Sequence, residues 1–323
     1  MILFDQESRI LSDALVARLK ESEKPAEVDS HLVEFDDVRY HVQAGAATSH
    51  ITISIGLPVA PPGAAVAGGL GGSIVPLGAL EAVEAAYGSY AKVLDEPEKG
   101  FDLTLEVDVS KVPTGEGEQQ KIIRSLASLR STIMAAPLRN ILKALSSEGG
   151  DPQSPPSAAA KPTALSYRPK EAFYVTRDAE KATVVFPMNF QDSNDVIIAS
   201  SFLQEFMEAR RTASAQTAPF CSYSKSPPLE LKNVPPAALK ANAGYVSFVI
   251  FPRHVQGDKL GRTAWALLTF YAYVSYHIKC SKAFMHTRMR RRVEGLIQVL
   301  HKAKPETVKE KKTASGRTFV KPT

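Results

Sequence analysis

The chain has 323 residues, of which 44% are hydrophobic, and this is enough to fill two domains with real cores. It carries 39 Lys and Arg against 34 Asp and Glu, a formal net charge of +5, and only two cysteines, Cys221 and Cys280. Because these cysteines have no metal-binding or disulfide spacing, the composition excludes a disulfide framework or zinc site and favours a cytosolic protein with reduced thiols.

The N-terminus shows no secretory signal, because Asp5 follows a few apolar residues in MILFDQESR. The first half then predicts three strands, a helix, a further strand and a long helix. In order, these are HLVEF (31–35), VRYHV (38–42), HITISI (50–55), a helix from Pro76 to Tyr87, FDLTLEV (101–107) and the long helix.

The second half repeats this order of elements. It predicts TALSY (163–167), AFYVT (172–176), ATVVF (182–186), a helix capped by Asp192 or Ser193 with Ile198, Phe202 and Phe206 on its apolar face, PFCSY (219–223), YVSFVIF (245–251) and a final helix. The order predicts an α+β fold: two similar α/β sandwich domains, each an antiparallel sheet with helices on one face, plus a long C-terminal helix.

Composition sets the expected domain boundaries. We predict a first sandwich domain over residues 1–146, a flexible linker over 147–162, a second sandwich domain over 163–255, the long helix over 256–303 and a basic tail over 304–323. The Gly- and Pro-rich tract from Pro58 to Pro76 predicts a disordered loop, because its GGLGG lacks the spacing of a phosphate-binding fingerprint.

The last helix is the most informative element. Asp258 can cap it, and no proline interrupts the pattern before Pro305. Some 45 residues would make a rod of about 68 Å. One apolar stripe comprises Leu260, Leu267, Tyr271, Val274, Ile278, Met285, Met289, Val293, Leu296 and Leu300, and a second comprises Phe270, Tyr273, His277, Cys280 and Phe284. Two stripes predict two covering partners, one of which could be another chain.

The same helix is strongly basic. The segment KCSKAFMHTRMRRR (279–292) contains six Lys and Arg and no acidic residue. From Lys259 to the end, the sequence contains 15 Lys and Arg and only three Glu. This asymmetry favours an anionic partner, and charge alone leaves nucleic acid, inner-leaflet lipid and an acidic protein surface open. A solvated helix face is the plain alternative.

No set of residues predicts catalysis, a cofactor or a metal site. His277, His286 and His301 are spaced too widely along one helix to share an ion, and Asp192 to Asp195 suits a helix cap better than a calcium loop. We therefore expect a non-enzyme. No transmembrane segment is expected, because the uncharged run 263–278 is short for a bilayer, and no nucleic-acid partner is expected, because RNA-binding strand motifs are missing.

Four stretches carry a family resemblance: SFLQEFMEARR (201–211), SPPLELK (226–232), GYVSFVIFPRHV (244–255) and HIKCSKAFMHTRMR (277–290). With them, the chain closely resembles the family of the second, larger scaffold subunit of the actin-related protein 2/3 complex, which nucleates branched actin filaments. The likeness is dense from about Tyr167 to Leu300 and sparser before it.

The resemblance implies a cytoplasmic, non-catalytic scaffold of the actin cytoskeleton that pairs with the complex's fourth subunit and supports the two actin-related proteins. It also implies contact with the side of the mother filament. The implied filament-binding residues are Phe270, Tyr273, Lys279, Lys282, Arg288 and Arg290, and we add Arg291 and Arg292, which extend the basic run beyond the charge usual in the family. The implied subunit interface is His277, Cys280, Phe284, Val293, Leu296 and Leu300. An adaptor that uses the same basic patch for RNA or phosphoinositide membranes is the alternative function.

Overall fold

The computed structural model describes residues 5–19, 27–34, 38–45, 49–58, 66–68, 74–113, 115–146, 162–166, 171–212, 218–303, 311–312, 316 and 318–319. The chain divides into two compact units, Met1–Tyr276 and His277–Thr323. The first unit contains both five-stranded sheets and most of the helices, and the unit boundary falls inside the last long helix.

The first half of the chain builds a five-stranded antiparallel sheet. Its elements are α1 (Arg9–Leu19), β1 (Val28–Glu34), β2 (Val38–Ala44), β3 (His50–Gly56), a two-stranded ribbon of β4 (Val66–Gly68) and β5 (Ile74–Pro76), α2 (Ala79–Tyr87), β6 (Ala91–Val93), β7 (Leu103–Asp108), α3 (Glu116–Ala127) and α4 (Leu129–Ser146). The strand order across the sheet is β1-β2-β3-β7-β6.

The second half builds the same arrangement again. Its elements are β8 (Thr163–Ser166), β9 (Ala172–Arg177), β10 (Ala182–Pro187), α5 (Ser193–Thr212), β11 (Phe220–Ser224), β12 (Tyr245–Ile250) and α6 (Lys259–Lys302), and β13 (Lys311–Lys312) and β14 (Thr318–Phe319) follow. The strand order is β11-β12-β10-β9-β8, so in each half the last strand lies between the third and the fourth. This confirms the predicted α+β fold with a doubled architecture.

Strand alternation explains which face of the first sheet meets the helices. Tyr40 and Val42 of β2 and Ile53 of β3 are buried in one core with apolar residues of α1, α2, α3 and α4. The intervening His41 and Ser54 therefore lie on the opposite face. The register aligns His31, His41, Ser54 and Thr104 in one row across four strands.

The second core is rich in aromatic rings. Phe186 of β10 lies 5.0 Å from Phe173 of β9, measured between ring centroids, and Phe270 of α6 lies 4.9 Å from both Phe186 and Phe248. Helix α5 adds Phe206, whose centroid is 6.1 Å from that of Phe270. The start of α6 is thus fixed by rings that belong to two strands and a helix.

Several sequence predictions need correction. Helix α1 was not expected, β6 is too short for its periodicity to show, and the first long helix is divided at Ser128, whose N–H donates to the Arg124 carbonyl. In the tract from Pro58 to Pro76, two short stretches pair as β4 and β5, and residues 59–65 and 69–73 lie outside the described part. Residues 147–161 of the predicted linker (147–162) and most of the predicted tail (304–323) also lie outside it.

The predicted starts of α5 and α6 agree with the structure. Helix α5 begins at Ser193, and the Asp192 carboxylate accepts a hydrogen bond from the Asn194 N–H at 2.8 Å, which is a capping contact. Helix α6 runs from Lys259 to Lys302, a length of 44 residues. Within the described residues, no helix combines the length and apolar character that a membrane crossing requires.

Candidate interaction surface on the C-terminal helix

The first part of α6 is covered. Leu267, Val274 and Ile278 are buried, and Tyr271 donates a hydrogen bond to the Asn189 carbonyl while its ring stacks on Phe190 at 5.8 Å. Burial raises the pKa of Tyr271 to about 12, an effect to which the negative charge of Glu171 adds. The predicted stripe therefore begins as an ordinary core-facing stripe.

From Lys279 onward the same helix is exposed. Every residue from 279 to 303 is exposed except Lys282, which is half-buried. The large apolar side chains in this segment are Phe284, Met285, Met289, Val293, Leu296, Ile297, Val299 and Leu300, each at least 41% exposed. Leaving a large apolar side chain in water rather than burying it costs about 1.5–3 kcal/mol, so such a surface marks a place where another molecule binds.

Five of these residues form one continuous line, which we call the apolar stripe: Met285, Met289, Val293, Leu296 and Leu300. Their spacing of four, four, three and four residues keeps them on one side of a helix with 3.6 residues per turn. Ile297 and Val299 lie on either side of this line and widen it. Such a stripe suits packing against a second helix or a groove.

A second line follows a different side of the helix, and we call it the cationic row: His277, Cys280, Phe284, Arg288 and Arg291. At about 100° per residue, this row lies about 140° around the helix from the apolar stripe. The Arg288 guanidinium lies over the Phe284 ring at 5.9 Å, a cation–π contact that joins the aromatic and cationic parts of the row. Glu294 is the single acid in α6, so its charge is strongly positive.

The residues of the implied subunit interface are divided between the apolar stripe and the cationic row. Of the implied subunit interface, Val293, Leu296 and Leu300 lie on the apolar stripe, whereas His277, Cys280 and Phe284 lie on the cationic row. His277 is half-buried and Cys280 is an exposed free thiol. Helical geometry therefore separates this set into two surfaces that face different directions.

The implied filament-binding residues are also spread over more than one side. Arg288 and Arg291 belong to the cationic row, and Tyr273, which is 41% exposed, precedes His277 by one helical turn. The remaining cations, Lys279, Lys282, Arg290 and Arg292, lie on the side or at the margins of the apolar stripe.

Phe270 does not fit the expected filament contact. Its side chain is 7% exposed and lies among Phe186, Phe206 and Phe248. A ring in this position stabilises the second sheet, and moving it to the surface would open the core. We therefore remove Phe270 from the expected surface.

Sequence reasoning missed a polar cluster on the face of the first sheet that points away from the helices. His41 is 5% exposed, and its ring nitrogens contact two carboxylates, Glu98 through Nδ1 at 2.6 Å and Asp29 through Nε2 at 2.8 Å. His31 stacks on His41 with ring centroids 3.8 Å apart and planes 10° apart. The alternation of HLVEF and VRYHV contains the signal, because an antiparallel pairing can oppose the two histidines.

Within the described residues, Asp29, His31 and His41 form the one group whose potential metal-ligand atoms all lie within 4.8 Å of one another. A metal ion lies close to the plane of each imidazole that binds it. Two nearly parallel rings 3.8 Å apart share no such position, and both nitrogens of His41 already face carboxylates. This arrangement is that of a hydrogen-bonded cluster rather than a metal site.

The doubled α+β architecture and the uncovered apolar stripe define a class of protein that is built to bind other proteins. Comparisons with known proteins identify the family within this class. The family model for the 34 kD subunit p34-Arc of the Arp2/3 complex matches residues 71–307.

Curated relatives agree with this match. The chain is 48% identical over 306 residues to actin-related protein 2/3 complex subunit 2A of Arabidopsis thaliana, covering 94% of this chain and 92% of the relative. It is 33% identical to subunit 2 of Dictyostelium discoideum over 99% of both chains. It is 30% identical to subunit 2 of Schizosaccharomyces pombe over 99% of this chain and 100% of the relative. The chain belongs to the p34-Arc family.

Proposed function

We propose that this chain is a non-catalytic scaffold subunit of the actin-related protein 2/3 complex, the assembly named in its relatives. It acts in the cytoplasm at the actin cytoskeleton, where it helps to place the two actin-related proteins and so supports nucleation of branched filaments. The single observation that carries this proposal is the exposed part of α6, with an apolar stripe on one side and a cationic row on another.

The apolar stripe is the proposed surface for a sister subunit, which the family resemblance identifies as the fourth subunit. Full burial of a large side chain contributes about 1.5–3 kcal/mol, so five of them contribute a free energy of the same order as the entropy lost on association. Val293, Leu296 and Leu300 form the C-terminal end of this contact, and Met285 and Met289 extend it toward the first unit's end of the helix.

The cationic row is the proposed surface for the side of the actin filament. When the stripe is covered by a subunit, Arg288 and Arg291 remain open because they lie on a different side of the helix. Phe284 and Tyr273 add aromatic area next to them, at 64% and 41% exposure. Lys279, Lys282, Arg290 and Arg292 contribute positive charge from the margins of the stripe.

The strength of exposed ion pairs limits how tightly the cations of α6 can bind a filament. An exposed ion pair contributes about 0–1 kcal/mol and weakens as salt is added, so these cations cannot hold a filament tightly alone. Binding through several subunits at once raises the overall affinity without any stronger single contact. The chain is therefore a contributor to a multivalent contact.

Affinity purification of the tagged full-length chain followed by mass spectrometry tests the proposed assembly. We expect the other subunits of the complex, including the fourth, to be recovered in a fixed ratio. Recovery of the chain alone, in soluble and folded form, would contradict the scaffold function.

Charge reversal tests the filament contact. Arg288→Glu with Arg291→Glu should leave the purified assembly intact but lower its co-sedimentation with actin filaments and its branch formation several-fold, most strongly at low salt. Lys225→Glu with Lys240→Glu is the matched control, because both lysines are exposed and the net charge changes equally. Equal loss in both variants, or no loss in the first, would contradict a contact through the cationic row.

The alternative is an adaptor that binds RNA or phosphoinositide membranes through the same cations. It draws support from the exposure of both the apolar and the basic residues of α6, which is a pattern that membrane-surface helices share. Such an adaptor would bind its ligand as a single chain and lose it to heparin or inositol phosphates. A scaffold would keep its subunit partners under the same competition.

A further inference from the structure

A loop crosses the face of the first sheet that points away from the helices. We call this loop the strap; it comprises residues 94–102, between β6 and β7. Its N-terminal end is fixed by the Leu94 N–H, which donates to the Thr104 carbonyl at 2.9 Å, and its middle by the Glu98 N–H, which donates to Thr104 Oγ1 at 2.8 Å. At the far end, Asp102 accepts a hydrogen bond from the Leu57 N–H at 2.6 Å. The strap therefore covers the face that points away from the helices.

The turn of the strap has its own backbone requirement. Gly100 adopts a φ of 91°, a conformation that favours glycine, and its carbonyl accepts a hydrogen bond from Arg39 Nη2 at 3.2 Å. The next residue, Phe101, has its ring centroid 6.0 Å from that of His41. The turn thus holds Phe101 and Glu98 close to His41, which is buried beneath the strap.

His41 joins three elements of the sheet. It belongs to β2, its Nδ1 contacts Glu98 of the strap, and its Nε2 contacts Asp29 of β1. Ionised carboxylates only accept hydrogen bonds, so both contacts are hydrogen bonds only when both ring nitrogens carry a proton. A neutral imidazole has one N–H and can serve one of the two carboxylates.

The two carboxylates are not equally held. Glu98 also has its backbone N–H bonded to Thr104, and a hydrogen bond from Ser54 helps to hold its side chain in ionised form. Asp29 has a side chain that is 65% exposed and lies on β1, an edge strand in which no residue is fully buried. When His41 loses a proton, we therefore expect Nδ1 to keep its proton and its hydrogen bond to Glu98, and the hydrogen bond to Asp29 to be lost.

The charged environment of His41 sets the direction of the pH effect. Burial alone lowers the pKa of His41, but hydrogen bonds to Asp29 and Glu98 and their negative charges together raise it above its ordinary 6.5. Among the other charged or titratable groups, His31 of β1 stacks on the ring and Arg39 of β2 lies over Phe101 at 5.9 Å. The strap also carries Asp95, Glu96, Lys99 and Asp102, and the register places His50 of β3 and Glu106 of β7 on the same face of the sheet. Ser54 of β3 and Thr104 of β7 are uncharged.

Burial also disfavours the charged form of Glu98, but hydrogen bonds from Ser54 and His41 and nearby positive charge lower the pKa of this carboxyl.

Because the pKa of His41 is raised in the folded chain, the contribution of His41 to stability is complete below about pH 6.5 and is lost as pH rises through the raised pKa. The Asp29 contact therefore weakens on the alkaline side.

We propose that His41 is a proton-operated clasp that adds to the backbone pairing of β1 with β2 and loosens edge strand β1 when it becomes neutral. The strap stays bound through Nδ1 and Glu98. The edge of β2 then becomes more accessible as pH rises, which gives the first sheet an edge whose availability for strand pairing depends on pH.

Hydrogen exchange with mass spectrometry tests the clasp on the full-length chain, purified with whatever subunits accompany it. Exchange is measured between about pH 6 and about pH 8, with EDTA present, and divided by the intrinsic rate at each pH. We expect the protection of peptides covering β1 to fall several-fold as pH rises, while peptides covering the strap keep their protection.

Asp29→Asn is the decisive variant, because Asp29 is exposed and its replacement does not disturb the core. An Asn side chain can accept from a protonated Nε2 or donate to a neutral one, so the pH dependence of β1 protection should disappear. His286→Gln on α6 is the control and should behave like the unchanged chain. A pH-independent β1 in the unchanged chain, or an unaltered pH dependence in Asp29→Asn, would overturn the proposal.

Discussion

Helix α6 has one kind of apolar periodicity and two kinds of environment. In its first part Val274 and Ile278 are 1% and 0% exposed, whereas in its second part Leu296 and Leu300 are 60% and 58% exposed. The side chains are of the same type and the spacing is the same. The comparison shows that periodicity indicates that a face will be covered, but not which molecule covers it.

The spacing of apolar residues in α6 predicts two parallel stripes, one covered by the chain itself and one by a partner. The structure instead divides the main stripe along its length, near Ile278. In the first part, Tyr271 of the main stripe stacks on Phe190, and the neighbouring Phe270 packs against rings of β10, β12 and α5. On our proposal a sister subunit covers the second part.

The largest effect that we predict comes from the exposed part. Leu296→Asp with Leu300→Asp places two charges at the C-terminal end of the apolar stripe, where a covering subunit would have to desolvate them. We expect the fourth subunit to be lost from affinity purifications of the full-length chain, at least tenfold by quantitative mass spectrometry.

Gln298→Asp is the positional control for this change, and it adds one negative charge where the double variant adds two. Gln298 is exposed and lies on the opposite side of the helix from the stripe, at about 180°. It should retain the partner at the level of the unchanged chain. If both variants retain it, the stripe is not a subunit interface.

A smaller effect separates the two parts by stability. Phe270→Ala removes a buried ring from the aromatic cluster and should lower the free energy of unfolding by about 3–5 kcal/mol. Phe284→Ala makes the same chemical change at a side chain that is 64% exposed, and it should cost no more than about 0.5 kcal/mol. Urea denaturation of the full-length chain, followed by proteolysis of the unfolded form, measures both.

Equal destabilisation by the two alanines would show that exposure does not distinguish the two parts of α6. A large loss of unfolding free energy for Phe284→Ala alone would mean that the core packs against the second part of α6 and not against the first. Either result would remove the basis of the comparison.

Much of the fold could be predicted because its signals are local. Alternation in VRYHV and HITISI and the cap at Asp192 each depend on a few adjacent residues, and the structure has β2, β3 and α5 at these places. Strand β6 could not be predicted, since three residues are too few to show a period.

The candidate site was predicted less completely because its geometry depends on distant parts of the chain. Phe270 and Tyr273 are three residues apart and share one side of α6, yet Phe270 is buried by Phe186 and Phe248, whose positions the helix sequence does not contain. Likewise, His41 and Glu98 are 57 residues apart and meet because the strap folds back over the sheet.

Oxidative footprinting of methionines in the purified assembly tests the central claim most directly. Met188 is completely buried by the chain's own fold and Met289 is 60% exposed in the chain, so the two provide an internal comparison. We predict that Met289 is as protected as Met188 in the assembly and becomes reactive in the Leu296→Asp, Leu300→Asp variant. Oxidation of Met289 at the same rate in the intact assembly and in that variant would contradict the account.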